Sequence, residues 1–136
     1  MDARMNNHWQ PLIDAALSAR ELAYAPYSNF HVGAAVLADD GQIFTGVNVE
    51  NASYGLTQCA ERVAVTTAVA GGCRVLVAVA VATAGGHSPC GACRQVLAEF
   101  GGTMEVLLVD ADKRQPVRQF SLEELLPGQF RLEQQD

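Results

Sequence analysis

The chain has 136 residues, 49% hydrophobic and 18% charged, with a formal net charge of −6. That much apolar side chain builds a real core, so one domain over residues 1–136 is expected and a disordered chain is excluded. The acidic balance also excludes a nucleic-acid partner, which needs clustered Lys and Arg against phosphate.

Met1 to Gln10 is polar and lacks the apolar centre of a signal peptide, which predicts a cytoplasmic location. Trp9, Leu12, Ile13, Ala16, Leu17 and Ala23 recur at helical spacing, with Asn6 or Asn7 as cap. They predict an opening helix of about five turns, ended by Ala25-Pro26-Tyr27-Ser28. Val32 to Leu37 and Ile43 to Val49 read as strands joined at the turn Asp39-Asp40-Gly41, and a loop from Glu50 to Leu56 follows. Glycine pairs then punctuate the chain. A helix from Cys59 to Ala70 stops at Gly71-Gly72, and a strand from Val75 to Thr83 stops before Gly85-Gly86. A helix from Cys90 to Phe100 stops at Gly101-Gly102. The run Val75 to Ala82 is far shorter than the ~20 residues of a membrane span, so no membrane partner is expected. Met104 to Asp110 and Gln115 to Phe120 complete the strands. Ser121 and Glu124 form a capping-box pattern for a short last helix ending at Pro127-Gly128. Continuous apolar runs suit strands covered on both faces. The expected fold is an α/β, three-layer α/β/α sandwich on a mixed five-stranded sheet, with ligands bound at loops that lead into helix N-termini.

Two stretches carry the chemistry: Thr57-Gln58-Cys59-Ala60-Glu61-Arg62 and Ser88-Pro89-Cys90-Gly91-Ala92-Cys93. Both sit where a helix begins. Ser88 is suited to an N-cap and Pro89 to a first helical position, and Thr57 can cap the other helix. The positive end of a helix favours thiolate over thiol. Cys90 and Cys93 share a helix face. Side chains of a first turn lean past the helix end, so an ion there can also meet Cys59 and Glu61. Three thiolates on Zn²⁺ leave one tetrahedral position open, as a catalytic site needs. Glu61 is placed to take a proton from water activated there and return it elsewhere. Arg62 is placed to donate to the sulfurs and offset their charge.

A lone Cys-x-x-Cys is ambiguous between a redox pair, a structural zinc half-site and chance; adding Cys59 and Glu61 favours catalytic zinc. Four unsignalled cysteines point to metal or redox chemistry before disulfides. Cys73 reads as a small core residue. His8 and His31 do not read as ligands, and His87 reads as an exposed loop residue that can edge a pocket.

Asn48-Val49-Glu50-Asn51-Ala52-Ser53-Tyr54 and Ser88-Pro89-Cys90-Gly91-Ala92-Cys93-Arg94-Gln95-Val96 give the chain a family likeness. It resembles the zinc-dependent cytidine deaminases, specifically their short, homotetrameric, three-cysteine class, from Ala25 to Gly128. The resemblance implies hydrolytic deamination of free cytidine and deoxycytidine in pyrimidine salvage, with one zinc per chain on Cys59, Cys90 and Cys93. It further implies that zinc-bound hydroxide attacks C4 while Glu61 shuttles protons to N3 and to the leaving amine. Phe30 would contact the pyrimidine, Asn48 and Glu50 the ribose, and Ala60 would also belong to the substrate-binding set. Phe130 would close a neighbouring subunit's pocket, and the loop with Ala52 and Tyr54 would bridge subunits. The partners implied are a free pyrimidine nucleoside and further copies of the chain. Two alternatives are a deaminase for a blasticidin-type cytosine antibiotic, which a substrate panel separates, and a non-catalytic zinc-stabilised binding domain. The second requires a fourth protein ligand and tolerance of Glu61→Gln.

Overall fold

The computed structural model describes residues 7–133. Helix α1, Gln10–Arg20, follows a 3₁₀ turn at Asn7–Trp9 and buries Leu12, Ile13, Ala16, Leu17 and Ala19 along one stripe. It spans 11 residues and is shorter than its periodicity predicts. The cause is tertiary pairing. After Arg20 the chain unwinds through a turn, and Tyr24 leaves to donate its N–H to the Asn48 carbonyl at 2.9 Å. Trp9 occupies the N-cap position without a side-chain cap, so Asn7 is not the cap, and Asn6 lies outside the described residues.

Strands β1, Gly33–Ala38, and β2, Ile43–Val47, form the expected antiparallel hairpin. Gly41, at φ +91°, supplies the left-handed residue of its turn. β2 stops two residues early because Val49 pairs instead with Gln58 and Tyr24 as isolated bridges. Helix α2, Ala60–Ala70, leads to β3, Leu76–Thr83. Helix α3, Gly91–Gly101, leads to β4, Glu105–Asp110. Edge strand β5, Gln115–Ser121, and the short helix α4, Leu122–Leu125, close the described fold. The expected capping box is present: Ser121 N–H donates to Glu124 at 2.8 Å, and Ser121 Oγ accepts from the Glu123 N–H.

The sheet order is β2-β1-β3-β4-β5, mixed as expected, with β3 and β4 parallel and the other neighbours antiparallel. Alternation along β3 sorts its two faces. Ala78, Ala80 and Ala82 lie under α1 with Leu107 and Val109; Val79 and Val81 lie on the other side with Ala64, Val65 and Leu97 of α2 and α3. The alanine face admits α1 close to the sheet. A Cβ at Gly33 would run into backbone of Ala16 and Arg20, and one at Gly46 into backbone of Ala60 and Ala64. Both helix layers are therefore pressed to backbone contact with the hairpin. Since β2 and β3 each run antiparallel to β1, they point the same way. Their carboxyl ends, and the N-termini of α2 and α3 that follow, come out on the same side of the sheet.

Candidate active site and metal centre

Each of those two helices places a cysteine at its N-cap. Cys59 takes this position on α2 and Cys90 on α3, both with extended backbone and neither with a side-chain cap bond. This corrects the expected caps. Thr57 lies two residues before its N-cap, and its Oγ1 accepts from the Asn51 N–H at 3.3 Å. Pro89 precedes the N-cap of α3, and Ser88 Oγ accepts from Arg94 at 2.8 Å. An N-cap side chain hangs over the free N–H groups of the first turn, so this position aims a sulfur off the positive helix end.

Cys93, in the first turn of α3, completes the group. The Sγ atoms of Cys59, Cys90 and Cys93 all lie within 4.8 Å of one another, with Cys90 exposed and Cys93 buried. A tetrahedral ion with Zn–S near ~2.3 Å sets sulfurs about 3.8 Å apart, so seating it needs a contraction of under about one ångström. Within the set Cys93 donates its S–H to Cys59, which lowers the Cys59 thiol to about 5, with Arg62 assisting. The same bond, with burial, pushes Cys93 up. Arg62 Nη2 donates to Cys59 Sγ at 3.3 Å, and its buried Nε has no partner among the described residues. The sulfur group suits a bound dication, and Arg62 offsets the negative charge that three thiolates would leave in excess. The residues fit zinc. Among the described residues no fourth Cys, His, Asp or Glu joins this group, so a zinc held by these three would keep one tetrahedral position for a small molecule.

Glu61, at the second position of α2, is 5% exposed. Burial raises its carboxyl to about 7, and the Cys59 thiolate adds to the effect against Arg62. A carboxyl near neutrality can take a proton and return it at physiological pH.

The three sulfurs and Glu61 open into a pocket of about 280 Å³ that also includes Phe30, Asn48, Glu50, Tyr54, Ala60 and His87. Asn48 Oδ1 accepts from the Val32 N–H at 2.9 Å and Nδ2 donates to the Phe30 carbonyl at 2.7 Å. Glu50 accepts from the Tyr27 and Ser28 N–H groups at 3.0 and 3.2 Å and from Ser28 Oγ. These bonds hold its carboxyl below the usual range, the Ser28 hydroxyl contributing most. Together the two side chains fix the segment that presents Phe30, whose ring meets His87 edge-on at 5.8 Å. His87 is exposed, as expected of a loop histidine, and also forms part of the pocket wall. Arg62, Ala52 and Phe130 do not line this pocket. Ala52 is exposed, and the Phe130 ring is 65% exposed. Cys73 is buried away from the three sulfurs, within 3.6 Å of Asp40 and Gln42. Ser28 and Thr83 also line the pocket and carried no functional expectation. A visible signal for Thr83 was its hydroxyl, ending an apolar strand just before the glycine pair.

A family model described as the cytidine and deoxycytidylate deaminase zinc-binding region matches residues 6–109. The chain belongs to this family. Its cofactor is zinc, one ion per chain. A cytidine deaminase of Sporosarcina psychrophila is 49% identical over 124 residues, covering 89% of this chain and 90% of that one. A cytidine deaminase of Mycobacterium tuberculosis is 50% identical over 131 residues, covering 92% and 91%. Among solved structures, the cytidine deaminase of Burkholderia pseudomallei superposes with a TM-score of 0.83 at 52% identity, covering 89% of this chain and 98% of that one.

Proposed function

We propose that this deaminase acts on free cytidine and deoxycytidine, exchanging the ring amine for oxygen to give uridine and deoxyuridine and releasing ammonia. The observation that carries the proposal is Glu61, buried in one pocket with three clustered cysteine sulfurs. Relatives named for cytidine deamination at about half identity over most of the chain support the same substrate.

Zinc, when bound by Cys59, Cys90 and Cys93, supplies the Lewis acidity that brings a water close to ionisation at neutral pH. Glu61 takes a proton from the attacking water and delivers it to ring N3 as oxygen adds to C4. It then carries the second proton to the departing amine, so water and cytidine leave as uridine and ammonia. Phe30 packs against the pyrimidine and Ala60 borders its edge. Asn48 donates its remaining amide N–H to the ribose hydroxyls, and Glu50 accepts from them, since each carboxylate oxygen accepts more than one bond. Among the described residues the pocket has two carboxylates and no Lys or Arg, a charge balance that disfavours a nucleotide phosphate.

The assembly is a homotetramer with shared sites. Its support is the exposed apolar set at the pocket mouth and arm, with Tyr54 at 66%, Phe130 at 65% and Leu132 at 76% exposure. Tyr54 and Ala52 bridge to a neighbour, and Phe130 closes the neighbour's pocket. Unpaired cysteines support a cytoplasmic setting, and release of a reusable uracil nucleoside supports a role in pyrimidine salvage. The test is loss of cytidine ultraviolet absorbance with purified protein, with and without chelator. Chelator-sensitive loss is expected, and no loss with a zinc-loaded sample contradicts the proposal.

A further inference from the structure

Arg94 directly follows the ligand Cys93 on α3, and its guanidinium bonds to three separate points. Nε donates to the Pro89 carbonyl at 2.9 Å and Nη2 to Ser88 Oγ at 2.8 Å. Both acceptors belong to the two residues before Cys90. Nη1 donates to the Leu125 carbonyl at 2.9 Å, at the end of α4, where helix carbonyls lack intrahelical partners. A planar fork of fixed spread sets its acceptors relative to one another, which a lysine ammonium cannot do.

Neighbouring contacts explain what this joins. The first half of the loop before Cys90 is held to the sheet: Gly85 N–H donates to Asp110 at 3.2 Å and His87 N–H to Thr83 Oγ1 at 2.7 Å. Its second half, Ser88-Pro89, leans on Arg94. On the other side, residues 126–133 form an arm laid along α3. Gln95 Nε2 donates to the Phe130 carbonyl at 3.3 Å, and Gln129 Nε2 donates to the Gly102 carbonyl at 2.8 Å beyond the helix's far end.

We propose that Arg94 is a positioning residue that sets the seat of Cys90 and the placement of the arm carrying Phe130 from one point on α3. The first half of this rests on the zinc reading of the site; the second stands without it.

The test uses zinc-loaded, full-length protein and two readouts: the rate of zinc release to a chelator, and amide hydrogen exchange across residues 126–133. Arg94→Met keeps the aliphatic stem and removes all three bonds. It is expected to release zinc about tenfold faster, the scale for losing a group that supports a metal ligand, and to raise exchange in the arm while α1 stays protected. Ser88→Ala removes one bond on the loop side, so zinc release should quicken with the arm unchanged. A general loss of stability would not separate the two readouts in this way. The proposal is overturned if folded Arg94→Met matches the parent in both, or if Ser88→Ala loosens the arm as much. Should Arg94→Met fail to fold, Arg94→Lys replaces it, with faster release and a looser arm expected and parent-like behaviour in both again overturning the idea. If the parent itself holds no zinc, the metal reading falls and arm exchange alone decides.

Discussion

The N-termini of α2 and α3 use the same frame for different work. Each presents an N-cap cysteine in extended backbone with no side-chain cap. In the turn that follows, α2 places a buried acid, Glu61, then Arg62, which donates to Cys59. α3 places a second ligand, Cys93, then Arg94, which donates away from the sulfurs to the loop and the arm. On the proposed mechanism the α2 start adds proton transfer and charge balance to its one ligand, Cys59, whereas the α3 start supplies the other two ligands. A helix end supplies the favourable field for thiolates in both cases. What the next three residues are decides whether that field supports chemistry or only binding.

The largest effect should come from the three sulfurs that the two helix starts share. Cys90→Ala, Cys93→Ala or Cys59→Ala should abolish the single zinc measured by metal analysis, whereas Cys73→Ala, buried elsewhere, should keep it. Full zinc in Cys90→Ala would dissolve the comparison. Next, Phe130→Ala lies on the arm that α3 carries. Its KM for cytidine should rise by about tenfold or more, with tetramer and melting temperature near the parent, as for an aromatic anchor at an interface. Mixing it with Glu61→Gln subunits should restore activity above the sum of the two, and mixed tetramers without restored activity would contradict a shared site. A smaller change is expected from Arg62→Gln. With that charge gone the site is more anionic and its water harder to ionise, so half-maximal turnover should move up by about half a pH unit or more. An unchanged profile with zinc retained would leave Arg62 a purely structural role.

The smallest effect is a pH dependence of the loop that presents Phe30. Glu50 has its pKa lowered in the fold from 4.5, chiefly by the Ser28 hydroxyl. A lowered pKa contributes stability that is present above the unfolded value and lost as pH falls through the folded one. The melting-temperature gap between parent and Glu50→Gln should therefore be steady above pH 4.5 and narrow below it. A gap that widens on acidification would be inconsistent with the bonds from Tyr27 and Ser28.

The strands, the mixed sheet and the three clustered cysteines were legible because local signals carry them: apolar runs, glycine pairs, Ser121 with Glu124, and cysteine spacing. The caps were misplaced by two residues because Ser88 and Pro89 look like cap chemistry, while Arg94 takes the Ser88 hydroxyl as an acceptor. The length of α1 was overstated because Ala23 keeps the period but Tyr24 is captured by the chain near Val49. Asn48 and Glu50 alternate visibly, yet that they hold the Phe30 segment depends on bonds to residues 16 to 23 positions away. The bond from Arg94 to Leu125 spans 31 positions and has no local signature at all.

Zinc content and cytidine turnover, measured on one sample of Glu61→Gln, address the central claim most directly, because this change keeps size and polarity but removes the proton carrier. About one zinc per chain should remain while turnover falls by at least ~10²-fold, the usual scale for a lost acid–base group. Near-parent turnover with zinc in place would contradict the account.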